Sequence, residues 1–155
     1  MKIGLISDTH DNLVNIEKAV KMFNERGVEF VLHAGDYVAP FSLVPMFKLE
    51  SEWVGVLGNC DGERQGLLKR SENRIKQGQL SLDSDNRKIV VIHNLDEYNK
   101  EPADVVVFGH THKPETNRVK NMLFVNPGEC AGWLTGRATI GILETVDLGV
   151  EIIEL

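Results

Sequence analysis

The sequence contains a series of short apolar runs that lack the polar alternation of a strand exposed on one face. Two of them, Ile89–Ile92 and Val105–Phe108, are apolar throughout and mostly β-branched. Such runs are typical of strands that are buried on both faces, as in a layered sheet covered by helices. Comparable runs lie at Ile3–Ile6, Phe30–Leu32, Trp53–Leu57, Leu123–Val125, Thr139–Leu143 and Val150–Ile153. The chain is therefore predicted to be an α/β protein.

Helical patterns separate the first strands. Apolar residues keep helical spacing over Leu13–Arg26, and Gly27 is placed to end that helix. A shorter helix is predicted around Phe41–Leu49, provided that Pro45 falls in its first turn. The polar segment 62–77 fits either a helix or a loop.

The second half of the chain is predicted to be rich in strands. Leu80–Leu82 and Arg87–His93 read as consecutive strands joined by a tight turn at residues 83–86. The chain shows no internal repeat, low-complexity stretch or linker, so we predict a single domain over residues 1–155. A β-α-β first half and a strand-rich second half suggest two sheets with helices outside them.

Charge and composition restrict the partners of this chain. The 17 Lys and Arg against 23 Asp and Glu give a net charge of −6, which argues against extended nucleic acid and anionic membranes as ligands. No apolar run reaches the roughly 18 residues of a membrane span, and the start resembles no targeting peptide, so we expect a cytoplasmic protein. The 2 cysteines do not make a disulfide framework.

Most of the predicted buried strands run directly into side chains that can bind a metal ion. Because ligands of α/β folds lie beyond the carboxyl ends of the strands, these side chains are expected to meet in one crevice. Residues two apart in extended backbone point to the same side, so Asp8 can act with His10, and His110 with His112. The candidates are Asp8, His10, Asp36, Asn59, His93, His110 and His112.

This donor set predicts a particular chemistry. Carboxylate, imidazole and amide oxygen suit manganese, iron, nickel or zinc rather than a thiolate zinc site. Seven ligands with one bridging carboxylate fit two ions, and two ions about 3.5–4 Å apart can clamp the attacking and leaving oxygens of an in-line displacement at phosphorus. The sequence therefore predicts hydrolysis of a phosphate ester.

Each motif taken alone also has a simpler structural explanation. Asp36 could cap a helix and Asn59 could occupy a left-handed turn. It is the joint occurrence of the motifs at strand ends that favours a site. His33 is predicted to be a hydrogen-bonded strand residue, and Cys130 a packed small residue rather than a nucleophile. Both tryptophans, Trp53 and Trp133, are predicted to be core or interface residues.

The same motifs, in this order, resemble those of the calcineurin-like metallophosphoesterases, most closely their small single-domain bacterial and archaeal phosphodiesterase branch. The resemblance implies a four-layer α/β/β/α sandwich with a binuclear metal site. The motifs that carry it are Asp8-Thr9-His10, Gly35-Asp36, Gly58-Asn59-Cys60-Asp61, His93, Gly109-His110-Thr111-His112 and Asn126-Pro127-Gly128.

Carried over by position, the resemblance implies two sets of metal ligands that share Asp36. One set is Asp8, His10, Asp36 and His112, and the other is Asp36, Asn59, His93 and His110. The ions would be Mn²⁺ or Ni²⁺, with iron or zinc as alternatives. A metal-bridging hydroxide would attack the phosphorus of a small phosphate ester, and the catalytic residues would be Asn59, Cys60 and His110.

Two departures from the family pattern affect the expected substrate. Many relatives carry a histidine that protonates the leaving group where this chain has Cys60, and losing a general acid lowers rates by about 10²–10⁴-fold. The usual His-Gly-His is here His93-Asn94-Leu95, followed by a short connection that lacks room for a long pocket wall. Esters with poor leaving groups are expected to react most slowly.

Three alternatives to a phosphodiesterase remain. The chain could be a phosphomonoesterase, or a binding scaffold like one eukaryotic relative that is a subunit of a membrane-coat complex. A single-metal oxygenase with two histidines and one carboxylate would leave the other ligand positions unexplained. A homo-oligomer is compatible with the sequence.

Overall fold

The computed structural model of the chain describes all residues from 1 to 155 and contains eleven strands. The strands are β1 Lys2–Ile6, β2 Phe30–His33, β3 Glu52–Val56, β4 Ile75–Lys76, β5 Leu80–Ser84, β6 Arg87–Val91, β7 Val105–Val107, β8 Glu115–Val119, β9 Met122–Asn126, β10 Thr139–Glu144 and β11 Gly149–Glu154. The helices are α1 Leu13–Glu25 and α2 Arg64–Arg70, and single 3₁₀ turns lie at Pro40–Leu43, Pro45–Lys48 and Leu95–Glu97. No helix has both the length and the apolar character needed to cross a membrane.

The strands form two mixed sheets. The first has the order β11-β10-β1-β2-β3-β4, in which β1 to β4 are parallel and β10 and β11 are antiparallel additions. The second has the order β5-β6-β7-β9-β8, with a parallel centre of β6, β7 and β9 and an antiparallel strand at each edge. The predicted α/β class with two sheets is confirmed.

Strands β6 and β7 bury both faces, as their unbroken apolar runs predict. Ile89 and Val91 join the core that also contains Ile3 and Leu5 of β1, so this core lies between the two sheets. The alternate residues pack on the opposite face of the second sheet against Tyr98. The layer outside the second sheet is thus a loop with one 3₁₀ turn, whereas α1 covers the outer face of the first sheet.

Some predicted elements differ from the structure. The helix expected around Phe41–Leu49 is two 3₁₀ turns, because Pro45 has no amide hydrogen to donate and starts a new turn instead of continuing the first. Within segment 62–77 the structure has the short helix α2 and the two-residue strand β4. No apolar periodicity in the sequence predicts strand β8, because all five of its residues are exposed at a sheet edge.

The carboxyl ends of the parallel strands bring the polar loops together. The Asp8 amide donates to the Gly35 carbonyl at 3.0 Å, which joins the loops after β1 and β2. The Gly109 amide donates to the His93 carbonyl at 3.0 Å, which joins the loops after β7 and β6. The Cys130 amide then donates to the Ser7 carbonyl, also at 3.0 Å, and links the two sheets at this edge.

Candidate metal centre

Four of the predicted ligands form one compact group. The donor atoms of Asp8, His10, Asp36 and His112 all lie within 4.8 Å of one another. Nε2 of His10 lies 3.6 Å from Oδ2 of Asp36, and Nε2 of His112 lies 3.5 Å from Oδ1 of Asp8. Both carboxylates are fully buried, and the two imidazoles are partly exposed. The group therefore opens toward solvent on its histidine side.

The other predicted ligands form a second group beside the first. Oδ1 of Asn59 lies 2.8 Å from Nε2 of His93 and 2.8 Å from Nδ1 of His110. Nε2 of His93 lies 3.4 Å from Oδ2 of Asp36, the oxygen that also faces His10. A single carboxylate oxygen is thus shared by both groups, as a bridging ligand would be.

The backbone of this site is unusual. Most of the predicted ligands adopt a positive φ, a conformation rare for residues other than glycine and concentrated at functional sites. These residues are Asp8 (52°), His10 (37°), Asp36 (61°), His110 (68°) and His112 (61°). The loop of Gly58 also packs so closely on Asp36 that no side chain fits there, since a Cβ on Gly58 would lie 2.2 Å from Oδ1 of Asp36. Geometry of this kind persists only where the surroundings fix it.

Two buried side chains hold the site loops in place. Asp61 accepts hydrogen bonds from the amides of Val38 and Gly58, both at 2.7 Å, and so ties the loop of Asp36 to that of Asn59. Asn126 donates to the Gly109 carbonyl at 2.8 Å and to the Thr111 hydroxyl at 3.0 Å. Both residues belong to the motifs noted in the sequence, where they have no assigned role.

Glu129, for which the sequence predicts no role, contacts the site. Its side chain is fully buried, and Oε1 lies 3.3 Å from Nδ1 of His112. The carboxylate also accepts hydrogen bonds from the amides of Trp133, Leu134 and Thr135. An acid between Gly128 and Cys130 resembles an ordinary turn residue in sequence, so only the folded loop reveals this contact.

The electrostatics of the site favour a bound cation. Burial is the largest influence on the pKa of Asp36 and acts to raise it, but the hydrogen bond and charge of His93 lower that pKa to about 2. Burial raises the pKa of Asp8, and the hydrogen bond from Ser7 opposes it. Neither carboxylate has a Lys or Arg partner, since their ion-pair partners are all histidines. Buried carboxylates without such partners are typical of metal sites.

One nitrogen of the site that lacks a hydrogen-bond partner is also consistent with a bound metal ion. Nε2 of His10 is buried and has no hydrogen-bond partner, although it points toward Oδ2 of Asp36. An imidazole nitrogen and a carboxylate oxygen that face each other can both coordinate one divalent ion. The orphaned nitrogen is therefore explained if a cation lies between these two side chains.

The remaining candidates lie where the structure gives them other roles. His33 is fully buried, lies 3.2 Å from the Thr9 hydroxyl through Nε2 and accepts from the Gly35 amide, which confirms the predicted hydrogen-bonded residue. Cys130 and Trp53 are packed in the core, as predicted. Trp133 is 65% exposed, so it is not a core residue.

A family model and a curated relative point to the same family. The family model of the calcineurin-like phosphoesterase superfamily domain matches residues 1–148. The phosphodiesterase MJ0936 of Methanocaldococcus jannaschii is 41% identical over 155 aligned residues, which cover 94% of this chain and 93% of that protein.

Solved structures agree with this match. A structure described as a novel archaeal phosphodiesterase superposes with a TM-score of 0.92 at 38% identity and covers 100% of both chains. Vps29 of Chaetomium thermophilum superposes with a TM-score of 0.74 at 15% identity, covering 100% of this chain and 95% of that one. At that identity the second match shows the fold alone.

Proposed function

Because this chain belongs to the calcineurin-like phosphoesterase superfamily, we propose that it is a phosphodiesterase that hydrolyses small phosphate esters at a centre of two divalent metal ions. The observation that carries the proposal is the position of Asp36, whose Oδ2 lies 3.6 Å from His10 Nε2 and 3.4 Å from His93 Nε2. One acid thus connects two groups of donors, each suited to one ion.

The two ions would be held as the family resemblance implies. Asp8, His10 and His112 would hold one, Asn59, His93 and His110 would hold the other, and Asp36 would contact both. Bound divalent ions lower the pKa of a coordinated water and neutralise charge on phosphoryl oxygens, which is the chemistry that phosphate ester hydrolysis needs. For the metals we propose Mn²⁺ or Ni²⁺, with iron or zinc as alternatives.

Exposure indicates which side chains of the site can also contact the substrate. Asp8 and Asp36 are buried, whereas Asn59, Cys60 and His110 are exposed beside them. In the absence of metal ions, partial burial and the nearby charge of Asp36 raise the pKa of the Cys60 thiol to about 11. We propose that these three exposed side chains contact the phosphoryl group or the leaving oxygen.

Metal removal and replacement test the proposal. We expect chelated, folded protein to leave bis(4-nitrophenyl) phosphate intact, and Mn²⁺ or Ni²⁺ to restore its hydrolysis. Native mass spectrometry should count two ions per chain. Folded protein that holds its metals yet turns over neither this diester nor 4-nitrophenyl phosphate would contradict an enzymatic role, and a marked preference for the monoester would indicate a phosphomonoesterase.

The alternatives predict other results. A binding scaffold tolerates loss of its metal ligands, but the chain keeps competent donors at every predicted ligand position. A single-metal oxygenase does not use donors in two groups that share one acid. The single domain over 1–155, the cytoplasmic location, the small ester substrate and a homo-oligomeric state remain predictions from the sequence.

A further inference from the structure

Two cavities border the candidate metal centre, and they differ in chemistry. One, of about 330 Å³, adjoins Asn59, His93 and His110, and its other polar lining includes Arg64. The other, of about 260 Å³, adjoins the first ligand group and is lined by His10, Cys60, His112, Glu129, Trp133 and Leu134. The first cavity has one apolar lining residue, the buried Leu57, whereas the exposed large apolar side chains, Trp133 and Leu134, both line the second.

Trp133 and Leu134 are exposed but firmly held. Their exposed fractions are 65% and 78%, which is unusual for large apolar residues beside a polar site. Both backbone amides donate to the buried Glu129 carboxylate, at 2.9 Å and 3.0 Å. The indole Nε1 of Trp133 also donates to the His10 carbonyl at 3.2 Å. An apolar surface fixed in this way loses little conformational freedom when it binds a ligand.

We propose that Trp133 and Leu134 form a binding wall for an aromatic group on one alcohol of the phosphodiester substrate. The inference rests on the proposed function, since it places the phosphorus at the metal centre. It assigns the substrate class to diesters with a planar apolar substituent, and makes these two residues determinants of specificity rather than catalytic residues.

The size and position of the cavity favour part of a substrate as its occupant. Sites for whole drug-sized ligands measure roughly 300–1,000 Å³, so a cavity of about 260 Å³ suits one substituent. His10 and His112 line both the cavity and the ligand group, so a substituent on a phosphoryl group held there reaches the wall directly. The other cavity has a mostly polar lining, which includes both Arg64 and Glu97, and so suits the polar remainder of the diester.

Inhibition by two phosphonates tests the wall. Phenylphosphonate and methylphosphonate both resist hydrolysis, and the first carries a phenyl group where the second carries a methyl group. We expect the wild type to bind phenylphosphonate more tightly, and Trp133→Ala to reduce this preference by up to about tenfold, the upper end for one aromatic contact. The KM for bis(4-nitrophenyl) phosphate should rise similarly while kcat changes little, because the wall contributes uniform binding. Trp133→Phe should retain most of the preference.

Tryptophan fluorescence gives a readout that does not depend on turnover. In protein loaded with diamagnetic Zn²⁺, phenylphosphonate should change the emission of exposed Trp133, and methylphosphonate should change it less. Trp133→Phe leaves only Trp53, which is buried, and should abolish the response. The matched control is Val146→Ala, which removes an apolar side chain that is 77% exposed at a distant turn.

The outcomes separate this inference from the proposed function. An active enzyme whose phosphonate preference survives both Trp133→Ala and Leu134→Ala would overturn the wall. A change in sedimentation of Trp133→Ala without a change in preference would assign the surface to a second copy of the chain, and would also overturn it. If no variant hydrolyses any ester, the proposed function fails, and the fluorescence response alone then decides whether the wall binds aromatic phosphonates.

Discussion

Oε1 of Glu129 lies 3.3 Å from Nδ1 of His112, on the opposite side of the ring from Asp8. Nε2 of the same ring faces Oδ1 of Asp8 at 3.5 Å. Although burial acts to raise the pKa of Glu129, hydrogen bonds from Thr135 and Leu134 hold it below its usual value, so the group remains a carboxylate. A carboxylate on one nitrogen of a ligating histidine fixes the ring and leaves the other nitrogen free for metal.

We therefore expect Glu129→Gln to weaken metal binding by about 10–100-fold, the usual effect of losing such a partner. The amide keeps one acceptor oxygen for the loop but loses the charge that orients His112. Equilibrium dialysis of Mn²⁺ against the variant and the wild type measures the change. The control is Glu154→Gln, which alters an exposed acid paired with Arg137. Equal affinities in all three proteins would show that Glu129 only ties down its loop.

Because one oxygen of Asp36 faces both donor groups, substituting Asp36 should affect both ions, whereas substituting a ligand of one group should affect only one ion. Asp36→Asn should abolish diester hydrolysis and weaken both ions, because this carboxylate faces both donor groups. His10→Ala removes a donor from one group only and should leave one ion bound. Native mass spectrometry at limiting Mn²⁺ distinguishes the two, with Asp83→Asn as an exposed control. Two ions retained by Asp36→Asn would contradict the bridging assignment.

Local patterns in the sequence predict the candidate ligands, whereas their division into two groups follows only from the family resemblance. A buried strand such as Ile3–Ile6 ends where its apolar run ends, so Asp8 can be placed at a strand terminus before any tertiary contact is known. Glu129 lacks such a pattern, since its role arises from hydrogen bonds to a loop four to six residues later and from His112, 17 residues earlier. Strand β8 has no apolar run because it lies exposed at an edge, paired only with β9.

A buried histidine next to the site predicts how stability depends on pH. Burial, reinforced by the charge of His93, lowers the pKa of His33 to about 3, whereas an unfolded histidine has a pKa near 6.5. Between these values the unfolded chain binds a proton that the folded chain does not. The free energy of unfolding should therefore fall as pH decreases from about 6.5 toward 3, by up to about 1.4 kcal/mol per pH unit from this residue.

Urea denaturation of metal-free protein at several pH values measures this dependence, and His33→Gln removes it. The variant should be less stable at neutral pH, because it loses the stacking of His33 on Tyr37, but its stability should fall less steeply with acid. The slope is the informative quantity, since the other titrating groups are common to both proteins. Parallel pH profiles for wild type and variant would mean that His33 has the same pKa in the folded and unfolded chains.

Cys60 occupies the position where many relatives carry a histidine, and this predicts how the rate depends on the leaving group. A thiol has an ordinary pKa of about 8.5 and an imidazolium one of about 6.5, so Cys60 is a weaker proton donor to a departing alkoxide than the histidine of those relatives. Diesters with nitrophenyl leaving groups need little protonation, whereas alkyl leaving groups need it most. We expect wild-type rates to fall steeply as the pKa of the leaving alcohol rises.

Cys60→His should restore a general acid and raise kcat for alkyl leaving groups by up to about 10²-fold, with little change for nitrophenyl esters. Cys60→Ser serves as the matched control, because it keeps the size of the side chain without adding an effective acid. The measurement is a plot of log kcat against leaving-group pKa for a series of diesters with each protein. A shallower line for Cys60→His alone assigns leaving-group protonation to this position. Three parallel lines would show that the proton comes from elsewhere, with the exposed ring of His110 the next side chain to substitute.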